Sequence, residues 1–157
     1  MKSLRSRSKR SGSVIIEFAL LFPVMMLMTL GTADFGRVFY AGIAVANAAR
    51  AGVQFGALDP GNAGNFTGMQ QAALNDAANQ GLTGITAVAT NYCGCAGSSS
   101  TVACGGAAFG TCSVGGTTTA PNGYIRVTVT YTYNTLVNYP GIPSTIALSR
   151  TATMRVQ

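Results

Sequence analysis

The feature that most constrains this chain is the junction Arg10-Ser11-Gly12-Ser13-Val14-Ile15-Ile16-Glu17-Phe18. A basic, Ser-rich leader ends at a glycine, and an apolar run begins at once. From Val14 to Ala33 the only charged residue is Glu17. About 20 apolar residues at 1.5 Å each span about 30 Å, the thickness of a hydrocarbon core. An acid placed in such a run is costly and is functional by default. The alternative for Glu17 is that its carboxylate snorkels to water at the near membrane surface and does nothing more.

The rest of the composition fits an anchored, exported protein. The 157 residues leave room for a membrane helix and one small domain. Only 9 % are charged, and the net charge of +6 is concentrated at one end. Lys2, Arg5, Arg7, Lys9 and Arg10 are half of the ten basic residues. Beyond them Arg37, Arg50, Arg126, Arg150 and Arg155 face Glu17, Asp34, Asp59 and Asp76, a net of +1. A terminal basic block beside an apolar run is the positive-inside signal, which keeps the N-terminus cytoplasmic. It does not have the spread of a nucleic-acid interface, so no nucleic acid is expected as a partner.

The helical pattern continues past the apolar run. Phe35, Val38, Phe39, Gly42, Val45, Ala46, Ala49 and Val53 recur at three- and four-residue spacing and mark one face. One helix is predicted over 13–57, with its membrane span at about 14–33 and a mild kink at Pro23. Gly56 and Asp59-Pro60-Gly61 stop it. Asp34 and Arg37 are three apart, as in a helix-surface ion pair or a contact to another subunit. The small residues between Gly42 and Gly52 either seat the protein's own sheet or admit a neighbouring helix.

Residues 58–157 read as an α+β domain. Thr67-Gly68-Met69-Gln70 fits a capping box and opens a short helix to about Asn79. Ile85 to Tyr92 reads as a strand. In Tyr124 to Tyr133, Ile125, Val127, Val129, Tyr131 and Tyr133 alternate with Arg126 and three threonines. Asn138-Tyr139-Pro140-Gly141-Ile142-Pro143 turns the chain into a last strand, Thr145 to Val156. There Arg150 interrupts an apolar face. Such a small antiparallel sheet needs a cover, and the outer half of the long helix is the candidate. Tyr124, Tyr131, Tyr133 and Tyr139 are ordinary strand residues, with an adhesive surface as the rarer reading.

Cys93, Cys95, Cys104 and Cys112 lie in a Gly/Ser/Thr-rich loop over about 93–123. In an exported domain they are expected to form two disulfides. Three pairings are open, and a Cys93–Cys95 ring is disfavoured by its size. The rival is zinc, but this spacing, without a histidine, is a poor match to zinc ligation. Nothing marks an enzyme: there is no histidine, no nucleophile elbow, no Walker sequence and no close carboxylate pair. No catalytic residue, metal or cofactor is therefore expected.

Gly12 followed by Ser13 and then Glu17-Phe18 resembles the cleavage site of type IV prepilins. That resemblance implies a membrane peptidase cutting between Gly12 and Ser13, with Glu17 as the fifth residue of the mature chain. Three blocks together resemble the TadE-like pseudopilins, minor pilins of the tight-adherence (Flp) pilus system. They are Ile16-Glu17-Phe18-Ala19 up to Pro23, Asp34-Phe35-Gly36-Arg37, and Asn47-Ala48-Ala49-Arg50-Ala51-Gly52. Ser149-Arg150-Thr151-Ala152-Thr153-Met154-Arg155 is similar to that family's final strand. The resemblance implies a pilin-like fold and a non-catalytic role in pilus assembly and surface adhesion. It further implies insertion in the bacterial inner membrane with a periplasmic C-terminus, and incorporation in the pilus as a further outcome. The implied partners are the prepilin peptidase, other pilin subunits and the assembly machinery. Glu17 would attract the N-terminal amine of a neighbouring subunit. Two readings compete. One is an anchored exported binding module without a filament role. The other is a secreted protein cut near Gly31-Thr32-Ala33, whose signal would need an apolar run longer than usual.

Overall fold

The computed structural model describes residues 11–95, 101–102, 112–114, 117–137, 141 and 143–156. The basic residues of the leader, Cys104, and Tyr139 with most of its turn lie outside the described residues. The element order is α1 (Ser11–Ala57), a 3-10 turn (Pro60–Gly64), α2 (Phe66–Asn79), β1 (Thr86–Gly94), β2 (Thr101–Val102), β3 (Cys112–Val114), β4 (Thr117–Thr119), β5 (Asn122–Asn134) and β6 (Thr145–Val156). The chain divides within α1 into two units, Met1–Arg37 and Val38–Gln157.

In the first unit α1 is an exposed apolar rod. Its large hydrophobic side chains from Val14 to Met28 are 52–73 % exposed. Polar groups in this stretch are satisfied within the helix. Thr29 Oγ1 donates to the carbonyls of Met25 and Met26, both at 2.9 Å, and Thr32 Oγ1 to that of Met28 at 2.8 Å. Internal satisfaction is what lipid demands of a helix. Among the described residues this is the one helix long and apolar enough to cross a membrane.

In the second unit the remainder of α1 presents a thin face. Ala41, Ala44, Val45, Ala48, Ala49 and Val53 are buried and recur at helical spacing. This departs from the predicted stripe, because Phe35 and Phe39 are exposed at 66 % and 61 %. The bulky positions of the sequence pattern point elsewhere, and the small ones face the core. Close approach is the reason. A Cβ on Gly52 would lie 2.9 Å from the carbonyl oxygen of Met69 and 3.0 Å from Val127 Cγ1. One on Gly56 would lie 2.6 Å from Ile125 Cδ1. The small residues thus seat the protein's own sheet, one of the two readings the sequence left open.

Helix α2 begins two residues earlier than the capping box implied. Asn65, not Thr67, is the cap: its Oδ1 accepts the Gly68 N–H at 2.9 Å. Asn is at least as good a cap as Thr, so Thr67 falls inside the helix. The helix ends after Asn79, as expected. Gly81 has φ +77°, the Leu82 N–H reaches the Ala77 carbonyl at 3.0 Å, and the Gly81 N–H reaches Ala78 at 2.9 Å. That is a Schellman stop, which needs a glycine in the left-handed conformation. Met69, Ala73 and Ala77, each four residues on, are the buried stripe.

The main sheet is antiparallel in the order β2-β1-β5-β6. Ala89 pairs with Val127, and Val127 with Ala152, so one face of three strands is apolar. Ile125, Val127, Val129 and Tyr133 are buried on the central strand β5. Ile125, Val127 and Val129 pack with Val45, Val53 and Met69 into the core. Burying side chains of this size contributes about 1.5–3 kcal/mol each. The predicted long cysteine loop contains regular structure: β2 pairs with β1, and β3 with β4. Cys95 is bonded to Cys112, and Cys93 is disulfide-bonded too. The zinc alternative is thereby overturned for these three thiols.

Two outcomes follow from this packing. Gly52→Val should lower the melting temperature of the full chain in detergent by several degrees, an overpacking cost of about 1–3 kcal/mol. Gly36→Val, where a Cβ has open space, should not lower it. Unreduced protein from an oxidising compartment should yield a Cys95–Cys112 linked peptide by mass spectrometry. Alkylation of either thiol without prior reduction would contradict the bond.

Candidate functional site

The junction singled out in the sequence lies on the first turns of α1. Gly12, Ser13 and Glu17 are all exposed. Ser13 Oγ donates to Glu17 Oε1 at 3.2 Å, an i to i+4 bond on one helix face. The carboxylate therefore reaches back one turn, toward the residue after Gly12. Gly12 has helical conformation, and a Cβ there would meet nothing within 4 Å among the described residues. A glycine in a helix costs about 1 kcal/mol relative to alanine. Neither packing nor backbone conformation requires that cost at Gly12, whereas packing does at Gly52 and Gly56.

Asp34 and Arg37 differ in environment. Asp34 is 4 % exposed, in contrast to the exposed Arg37. Both engage other groups. In the second unit Phe39 and Ile43, spaced by four, stay 61 % and 58 % exposed, alongside Tyr40.

Arg150, the interruption on the apolar face of β6, lies along α1. Its Nη2 is 3.9 Å from where a Cβ of Gly42 would sit, and Nη1 donates to the Ser149 carbonyl at 2.9 Å. It borders an open groove of about 600 Å³ with Arg50, Val53, Ala152 and Met154. Among the described residues that line it there is no carboxylate, no thiol and no imidazole. Among the described residues no group of three or more His, Cys, Asp or Glu is placed to hold a metal.

The structure also gathers residues that the sequence did not single out. Tyr92 on β1 stacks on Tyr124 of β5 with ring centroids 5.2 Å apart. The Arg126 guanidinium lies over the Tyr92 ring at 4.6 Å. Tyr124 had been noted only as a strand residue; its partner across the strands is invisible without the register.

Comparison with known proteins bears on the first part of the chain. No match was found among curated proteins or among solved structures. Residues 12–54 match the family model described as TadE-like protein. The match begins at the glycine of the junction and ends within α1, covering both its exposed apolar stretch and most of its alanine-rich face. The likeness is therefore to TadE-like proteins, over residues 12–54 of the chain.

Proposed function

We propose that this chain is a non-catalytic minor pilin of the tight-adherence pilus, anchored in the inner membrane and matured by cleavage between Gly12 and Ser13. The observation that carries the reading is the coincidence of three features on one helix. The TadE-like match begins at Gly12, the large apolar side chains that follow from Val14 to Met28 are exposed, and the first acid of the helix is Glu17. The basic leader holds the N-terminus in the cytoplasm and sends the α+β unit to the periplasm. Cleavage creates a positive amine on Ser13. In a filament that amine meets Glu17 of a neighbouring subunit, and opposite charges attract strongly where water is scarce. The exposed Phe39 and Ile43, one turn apart, support helix-to-helix contact with other subunits. Asp34 and Arg37, three apart on the helix, fit a subunit contact of their own. The pilus machinery and the prepilin peptidase are the partners of this reading.

A simple membrane anchor has no use for a carboxylate in the span. Glu17→Gln keeps the side chain's size and removes its charge, and membrane insertion should survive or improve. In a strain carrying only this variant we expect normal expression and membrane localisation, with fewer assembled pili by electron microscopy. Wild-type pilus numbers at wild-type protein levels would leave the chain an anchored exported domain.

A further inference from the structure

The sheet has two faces of opposite character. The inner face is covered by α1 and α2. On the outer face Thr90, Arg126, Thr153 and Arg155 are exposed and Tyr92, Tyr124 and Thr128 are half-buried, and the register fixes their arrangement. One row across three strands is Tyr92, Tyr124 and Arg155; the next is Thr90, Arg126 and Thr153. Further rows continue with hydroxyls. Thr128 and Thr151 share a hydrogen bond of 2.9 Å, and Thr130 bonds Thr86.

The charge on this face is of one sign. All four acidic side chains of the sequence precede β1, so the sheet carries arginines and no acidic side chain. Arg126 and Arg155 are exposed and diagonal to each other across β5 and β6. Diagonal neighbours on an antiparallel pair sit about 7–8 Å apart. Arg126 is laid on Tyr92. A guanidinium over a ring face still has N–H donors for a carboxylate, which it can bind in a two-pronged manner. Around the pair, threonine hydroxyls both donate and accept.

We propose that this outer face binds an acidic polysaccharide, with Arg126 and Arg155 taking uronate carboxylates and the threonine rows taking sugar hydroxyls. Strands spaced about 4.8 Å apart meet a crossing glycan at close to one contact per sugar ring. Other polyanions fit less well. A nucleic acid wants a longer basic track and free ring faces, whereas here the rings stack on each other and under Arg126. A lipid surface wants apolar side chains to insert, and Val88 is the one large apolar residue in these rows. The proposal is independent of the pilus reading, because the surface belongs to the sheet and not to the TadE-like segment.

The test uses the full chain in detergent micelles and immobilised polygalacturonate as the probe. Dextran, DNA and anionic vesicles serve as comparisons. We expect retention on polygalacturonate and not on dextran, with a loss of about tenfold in affinity for Arg126→Gln with Arg155→Gln, as charge-assisted hydrogen bonds are removed. Arg126→Gln and Arg150→Gln remove the same charge from opposite faces. The first should weaken binding and the second should not. Arg155→Gln alone, at an exposed position on the edge-side strand, gives the same answer should Arg126→Gln disturb the Tyr92 stack. Equal losses from both faces, equal retention on DNA or vesicles, or no retention on polygalacturonate would each overturn the proposal. So would an Arg126- and Arg155-dependent self-association without glycan binding.

Discussion

The close approach of α1 to β5 sets the geometry of the outer unit. Gly52 and Gly56 have no side chain because Met69, Val127 and Ile125 occupy that space. Ala44, Ala48 and Ala49 extend the same thin face. With the helix that near, the core needs few large residues, and Val45, Val53, Met69 and the alternate positions of β5 suffice. The same approach leaves the bulkier Phe39 and Ile43 on the outside of α1. An alanine-rich inner face and an aromatic outer face on one helix are thus a single consequence of how the helix sits on its own sheet.

The first unit obeys a different rule. Its side chains from Val14 to Met28 are apolar and exposed, and its hydroxyls bond back to the helix. Water would penalise that surface, and lipid would not. Glu17 is the exception to the pattern, one turn beyond Ser13. A carboxylate there has a purpose when a positive charge comes to meet it, which is what cleavage after Gly12 would create on an adjacent subunit.

Much of this was legible in the sequence, for identifiable reasons. The apolar run from Val14, the alternation in β5 and the glycine stop at Gly81 each follow from local periodicity or backbone freedom. The cap of α2 was misplaced because Asn65 and Thr67 are both good caps, and only the chain's entry from the 3-10 turn decides between them. The inner face of α1 was read too far toward the N-terminus, because spacing cannot separate residues that touch the sheet from residues of the same period that do not. The Cys95–Cys112 bond was one of several pairings that spacing allowed. The stack of Tyr92, Tyr124 and Arg126 depends on register between strands 30 residues apart in the chain, to which no local pattern is sensitive.

The pilin reading begins with a cut after Gly12. The most direct measurement is the N-terminal residue of the mature protein isolated from the membranes of its native host. The account predicts Ser13, with Glu17 fifth. Met1 would make the chain an uncleaved anchor, and Asp34 would make it a secreted protein. Either result contradicts the maturation on which the pilin reading rests.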